Sequence, residues 1–441
     1  MYLTKFSIDN VLAIRTLAWE ISPEQAPGWH VILGDNGSGK SSVLRAIALA
    51  LVGPDEAMAL LEDWAQWRHQ GVDGFVRLRL TPDARLDKLP GQMKASIKAP
   101  LRVDVKVGDV QRRGVRPEAL HPREPHTPGP GSRVDPEAHV WSSGAGWFSA
   151  SYGPFRRFTG GDATYEKLFT THSRLARHLS VFDESVALTE GLKWLQQLKF
   201  KQHEDDPEGD LLDPLTQFIN QPDFLPHQAR LKDVTSREVL FVDGNGHQIP
   251  VEALSDGYRS ILSMTFELIR QLAAAYGAKK VFHPKDPTRV DVPGVVLIDE
   301  VDAHLHPTWQ RNVGPWFRKH FPKMQFIVTT HSPLVCQAAD EGTIWRLPSP
   351  GSDEVARQVT GVERDRLVFG NVLDAYGTGV FGQGVTRSER SKARVHRLAE
   401  LNMKELRKGL SAAERKEQAG LRASQPTTAM TVHESEDWGG A

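Results

Sequence analysis

Eight consecutive residues, Gly34-Asp35-Asn36-Gly37-Ser38-Gly39-Lys40-Ser41, match the pattern G-x-x-x-x-G-K-[ST]. The residues before them, "HVILG", read as a short buried strand, and those after, "SSVLRAIALAL", read as a helix opening at Lys40 and carrying Ser42 in its first turn. Such a loop cradles phosphate. Glycines let backbone N–H groups turn inward, the helix adds its positive end, Lys40 reaches the outer phosphate oxygens and Ser41 offers a Mg²⁺ ligand. A glycine-rich turn with a stray lysine would need neither flanking element.

A second group is acidic. In "GVVLIDEVDAHLHP" four apolar residues, Val295 to Ile298, lead to Asp299 and Glu300 at a strand's C-terminal end, where ligands collect in parallel sheets. Asp299 suits a Mg²⁺ shell and Glu300 suits a general base for water. A solvated acidic turn is the plainer reading of the segment taken alone. "MQFIVTTHSP" is another buried strand, ending in Thr329-Thr330-His331, where the imidazole could meet a terminal phosphate or be purely structural. A third group, "LSDGYRS" (Leu254 to Ser260), precedes an apolar-periodic helix closed by Gly277. Ser255, Asp256 and Gly257 at that N-terminus offer a hydroxyl, free N–H groups and a positive dipole end, an anion site. The first loop already surrounds its own phosphates, so this site serves a nucleotide held by another subunit; the alternative is a plain N-cap by Ser255.

Those groups must be positioned by a sizeable core, which 441 residues with 39% hydrophobic content can form. Met1 to Leu51 reads as strand, turn, strand, glycine loop and helix. Val76 to Val110 carries alternating "FVRLRL" and "LRVDVKV", which predict antiparallel strands. A proline-rich polar stretch follows, and its histidines His121, His126 and His139 lack metal-site spacing. Tyr165 to Leu231 reads as helical, and Glu238 to Pro348 as a second α/β section. Basic and acidic residues balance at 54 against 55, so no global field draws the chain to nucleic acid or anionic membrane. The lone Cys336 excludes an internal disulfide. Without a leader pattern or an 18-residue apolar window, the expectation is a cytoplasmic protein with no membrane partner.

Taken in order, Gly34 to Ser41, Leu254 to Ser260, Asp299-Glu300, Asp302 and His331 resemble the motif set of an ABC-type ATPase head. The early phosphate loop, the long insertion before "LSDGYRS", and "IDEVDAHLHPTWQ" with "VTTHSP" resemble the RecF/SMC-like group. "SASYGPFRRF" and "DAHLHP" resemble the stand-alone AAA-type ATPases of prokaryotic antiphage systems, Septu, retron-associated and PARIS. The resemblance implies an α/β fold: a P-loop ATPase head with an antiparallel β lobe, a helical insertion and a C-terminal helical tail. The expected division is an N-terminal ATPase lobe over 1–160, the helical insertion over 161–235, a C-terminal ATPase lobe over 236–348 and an extension over 349–441. It implies ATP and Mg²⁺ as cofactors, with Gly34 to Ser42 and Ser255 to Gly257 on nucleotide, Ser41 and Asp299 on metal, and Lys40, Glu300 and His331 in catalysis. It also implies a homodimer or higher oligomer clamping two ATP molecules between the phosphate loop of one head and "LSDGYRS" of the other.

Two departures stand out. No glutamine marks a Q-loop, and Tyr152, Arg156 or Arg157 could substitute for it. Relatives' N-F-R reads Asn10-Val11-Leu12 here, so adenine recognition rests on the resemblance. No effector is legible: Toprim-like acidic spacing, HNH and zinc-ribbon patterns are missing. The expected function is an ATP-gated regulator of a separate effector, a nuclease, in antiphage defence; the alternative is a RecF-like repair ATPase clamping DNA. Near the C-terminus a basic helix carries Val395, Leu398, Leu401 and Leu406, with Ser411 to Glu414 fitting a capping box. Its Arg387, Arg390, Lys392, Arg394 and Arg397 could meet solvent, a partner or a DNA backbone.

Overall fold

The computed structural model describes residues 1–60, 63–83, 85–89, 92–96, 100–108, 121–123, 140–141, 147–162, 165–235, 237–381 and 388–423. His126, His139, Arg387 and the polar tail from 424 lie outside these, as does most of the proline-rich stretch; of His121 only the backbone is described. The chain divides into two compact units, Met1–Arg364 and Asp365–Ala441.

Two sheets organise the first unit. Strands with every residue buried have no alternation to offer, as parallel strands covered on both faces require: Gly294–Ile298 and Met324–Thr330 are of this kind. They form the centre of a six-stranded sheet ordered Arg357–Gln358, Ile344–Arg346, Gly28–Leu33, Met324–Thr330, Gly294–Ile298, Ser149–Tyr152. All neighbours are parallel except the outermost pair. Alternating strands behave differently. Gly74–Thr81 buries Val76, Leu78 and Leu80 while Arg79 faces solvent, and it sits in a five-stranded antiparallel sheet ordered Ile14–Glu20, Tyr2–Val11, Gly74–Thr81, Leu101–Gly108, His121–Arg123. This is the expected antiparallel β lobe. The fold is α/β, and the helix Lys40–Val52 packs its apolar residues against strands of both sheets.

A buried amide ties the sheets together. The Gln325 side chain accepts from Leu3 N–H at 2.7 Å and donates to Leu3 C=O at 2.8 Å, at the point where the strand Tyr2–Val11 shifts register. Removing it would leave two buried backbone groups unpaired, at about 1–3 kcal/mol each.

The helical insertion is present between the lobes, its longest member being Glu190–His203, followed by Leu212–Ile219. The apolar period of residues 261–276 forms the helix Asp256–Tyr276, which ends where Gly277 turns to φ 89°. In the second unit, Glu389–Lys408 and Ala412–Ala423 form a helical hairpin around Leu401, Leu410 and Leu421. The expected capping box is formed: Ser411 N–H donates to the Glu414 carboxylate at 3.0 Å and Glu414 N–H to Ser411 Oγ at 3.3 Å. Of the basic residues, Arg397 is engaged bidentately by Glu417 at 3.0 and 3.1 Å, so its charge is spent inside the hairpin. No helix among the described residues is long and apolar enough to cross a membrane.

His30, on the strand feeding the phosphate loop, is fully buried. Its Nε2 lies 3.1 Å from Ala26 C=O, which can only accept, so Nε2 carries the proton and Nδ1 accepts from Thr343 Oγ1 at 2.9 Å. Burial pushes its pKa down to about 4 from 6.5. A histidine depressed in the folded state contributes stability above its unfolded pKa and loses it as pH falls. Stability should therefore decline between about pH 6.5 and 4, by roughly 3 kcal/mol from His30 alone. Urea unfolding across this range, with His30→Asn giving a flatter profile, checks the assignment.

Candidate active site

The C-terminal ends of four adjacent parallel strands meet at one edge, the position at which open α/β sheets bind ligands. The strand Gly28–Leu33 runs into Gly34 to Gly39, and the helix starts at Lys40 with Gly39 at φ 92°. A side chain at Gly39 would strike Ile14 Cδ1 at 2.7 Å in addition to the backbone penalty, so this corner requires glycine. Lys40 is buried, and its Nζ donates to the carbonyls of Gly34 at 2.9 Å and Asp35 at 3.1 Å. Burial pushes its pKa down, while Glu300, Asp299, Asp35 and Asp302 pull it back up. Carboxylates from two distant segments thus act on one ammonium. Asp35 also accepts from Ser349 Oγ at 2.6 Å, fixing the loop from a distant segment.

Asp299, itself buried, extends the acidic strand: its N–H donates to Tyr152 C=O at 2.8 Å and Val301 N–H to Thr329 C=O at 3.0 Å. Thr329 Oγ1 donates to Asp299 Oδ1 at 2.5 Å and accepts from Glu300 N–H at 2.7 Å. One hydroxyl therefore holds both acidic residues. Thr330 Oγ1 donates likewise to Asp302 Oδ1 at 2.5 Å, and the half-buried His331 follows directly. Glu300 has φ 45°, a left-handed backbone that a non-glycine residue adopts only when its surroundings impose it.

Of the three residues considered for the Q-loop turn, the structure distinguishes Arg156. Tyr152 is buried within its strand and Arg157 donates to Gly160 C=O at the surface. Arg156 is buried beneath the acidic turn, donating from Nη1 to the carbonyls of Gly153 at 3.0 Å and Asp299 at 2.9 Å, from Nη2 to Glu300 C=O at 3.1 Å, and from Nε to Ser260 Oγ at 3.0 Å. Burial lowers its pKa to about 10, opposed by Asp299, Asp302 and Glu300. Sequence reasoning overlooked Thr329, Thr330 and Ser260 as functional groups. The signal available was the pair of hydroxyl residues ending the strand after the acidic one.

The start of the "LSDGYRS" group, Ser255 to Tyr258, lies elsewhere, although its last residue, Ser260, meets Arg156. Ser255 has N-cap dihedrals but makes no capping bond with its side chain, and it is exposed; Asp256 pairs with Arg259. Ser255, Gly257 and Tyr258 line a groove of about 960 Å³ with His227, His304 and Trp309, and no phosphate-loop residue lines it. Gly257 allows close packing there, since a Cβ would sit 2.8 Å from His304 C=O.

The residues present fit a phosphate–Mg²⁺ group. Ser38 Oγ is buried in the loop without a protein partner, and the glycine corner is filled by any Cβ. Among the described residues no cluster of three or more His, Cys, Asp or Glu could cage a metal, so a divalent ion would take few protein ligands and complete its shell with phosphate and water.

Residues 120–337 match the family described as "AAA domain, putative AbiEii toxin, Type IV TA system", an interval holding Leu254 to Ser260, Asp299, Glu300 and His331 but not the phosphate loop. Retron Ec83 probable ATPase of Escherichia coli is 38% identical over 138 residues, 31% of this chain and 24% of that protein. Septu protein PtuA of Bacillus mycoides (strain KBAB4) is 25% identical over 351 residues, 78% of this chain and 40% of that protein. This chain is similar to a probable ATPase of a retron and to a Septu protein. It spans less than half the length of these curated relatives. Among solved structures, an SmcHead bound to the C-winged helix domain of ScpA aligns over 82% of this chain and 99% of that one, with 16% identity and a TM-score of 0.48.

Thr329→Val keeps the side-chain shape and removes the hydroxyl shared by Asp299 and Glu300. ATP turnover should fall about 10- to 100-fold with a higher Mg²⁺ requirement, and Thr329→Ser should restore it. Phosphate release across a Mg²⁺ titration is the measurement.

Proposed function

We propose that the chain binds ATP with Mg²⁺ in the loop Gly34 to Ser42 and hydrolyses it. The observation that carries this reading is the convergence of Asp35, Asp299, Glu300 and Asp302 on the buried Lys40, from segments nearly 270 residues apart in sequence. Lys40 and the loop N–H groups bind and orient the phosphates. Ser41 and Asp299 would hold the Mg²⁺, which when bound neutralises charge on the phosphate oxygens. Glu300, on its constrained turn, takes the proton from the water attacking the terminal phosphorus, while His331 contacts that phosphate.

Ser255 and Gly257, with Asp256 beside them, complete the site of a second copy. The exposed uncapped hydroxyl of Ser255, in a groove apart from the chain's own phosphate loop, supports this. The unit that hydrolyses is then a head-to-head dimer or a multiple of it. The named relatives, a retron ATPase and a Septu protein, support a place in prokaryotic antiphage defence, with the ATPase regulating a separate effector, a nuclease, in the cytoplasm.

Glu300→Gln should retain ATP binding and accumulate an ATP-dependent dimer while phosphate release falls at least about 100-fold; unchanged turnover would remove Glu300 from the water-activating role. The shared site has a sharper test. Lys40→Ala and Ser255→Arg should each be inactive, yet mixing them should restore turnover, because the mixed dimer retains one intact phosphate loop facing one intact "LSDGYRS" segment. If no activity returns although mixed dimers form, the two halves of the site do not come from different copies.

A further inference from the structure

The contacts of Arg156 have a pattern that phosphate binding does not require. The guanidinium holds the carbonyl before Glu300 (Asp299 C=O, 2.9 Å) and the carbonyl after it (Glu300 C=O, 3.1 Å). These are the two peptide groups whose orientation defines the Glu300 backbone, and that backbone is left-handed at φ 45°. From Nε, Arg156 also donates to Ser260 Oγ at 3.0 Å. Ser260 lies five positions after Ser255, in the second turn of the helix Asp256–Tyr276. Both Arg156 and Ser260 are buried. One rigid, planar group therefore spans from the helix whose first turn carries the anion site to the turn that carries Glu300.

We infer that Arg156 is a positioning residue that couples the helix Asp256–Tyr276 to Glu300, holding the carboxylate in its working orientation when that helix is seated. The inference rests on the two-copy reading proposed above. A glutamate at positive φ relaxes unless its flanking peptides are fixed. Thr329 holds the Glu300 N–H with its hydroxyl and the Val301 N–H with its carbonyl, and Ala303 N–H donates to Glu300 C=O at 2.9 Å; Arg156 is the side chain that grips the Asp299 and Glu300 carbonyls together and links them to the helix. The guanidinium presents its donors in a fixed fork, so a shift of Ser260 that turns Nε also turns the two donors on the Asp299 and Glu300 carbonyls. Engagement of a phosphate at Ser255 and Gly257 would brace this helix, and the brace reaches Glu300 through a single side chain. Water activation in one copy is thereby tied to what the same copy's helix grips on its neighbour.

Lysine cannot reproduce the fork, whereas Ser260→Ala removes only the link to the helix. ATP turnover and nucleotide affinity would be measured for full-length Arg156→Lys, Ser260→Ala and the double variant. Arg156→Lys should lower kcat at least about tenfold with KM within about threefold, and Ser260→Ala should lower kcat by a smaller factor with KM unchanged. The double variant should match Arg156→Lys alone, since both changes cut the same link. A double variant whose loss is the product of the single losses overturns the coupling, as does a Ser260→Ala protein with wild-type kcat. The second result decides the matter even where Arg156→Lys does not fold. These outcomes are distinct from failure of the shared site, which is read from the Lys40→Ala and Ser255→Arg mixture and leaves both Arg156 and Ser260 intact.

Discussion

The register of two parallel strands is the constraint on which the site depends. Ile298 lies opposite Val328, so the next residues, Asp299 and Thr329, emerge together at the sheet edge. A one-residue slip would carry the Thr329 hydroxyl to the other face and strand both Asp299 and the Glu300 N–H. The flanking strands obey the same alignment: Ile298 is paired with Tyr152 on one side, and Thr330 with Leu33 on the other, one residue before the phosphate loop begins. Hydrophobic pairing within the sheet is thus converted into the placement of polar groups beyond its edge.

Charge is balanced locally in that edge. Lys40 and Arg156 are both buried, which by itself disfavours their charged forms, and both face the carboxylates of Asp299, Glu300 and Asp302. Neither positive group could be kept there without the acids, nor could the buried Asp299 without them. The guanidinium also donates to the Asp299 and Glu300 carbonyls of the acidic turn, so one side chain serves as counter-ion and as backbone partner. The balance accounts for why these residues are interdependent though they come from three separate stretches of sequence.

The proposed anion site at Ser255 is organised by different means. Its helix is held by a continuous apolar face, with Ile261, Leu262, Phe266, Leu268, Ile269 and Leu272 all buried, so the first turn is presented from a rigid base. The exposure of Ser255 and the burial of Ser260 belong to one helix, one end turned to the groove and the next turn inward to Arg156. Two environments are connected by less than two helical turns.

Periodicity and motif spacing by themselves determined much of this protein. The alternation in "FVRLRL" and "LRVDVKV" specified the antiparallel lobe, unbroken apolar runs specified the central parallel strands, and the glycines with Lys40 specified the phosphate loop, because each depends on near neighbours in sequence. The acidic pair and the "LSDGYRS" helix start were legible for the same reason. What only the tertiary structure decided is which groups complete them. Arg156 stands apart from Tyr152 and Arg157 only through its guanidinium on the Asp299 and Glu300 carbonyls, 143 and 144 positions away. Thr329 reads as an ordinary strand residue until it lies beside Asp299, 30 positions away. Arg397, which from sequence could meet solvent, a partner or a DNA backbone, is paired with Glu417 across the helical hairpin. A hydrogen bond between distant segments leaves no periodic trace, since its geometry is set by sheet register and helix packing and not by the residues next to it.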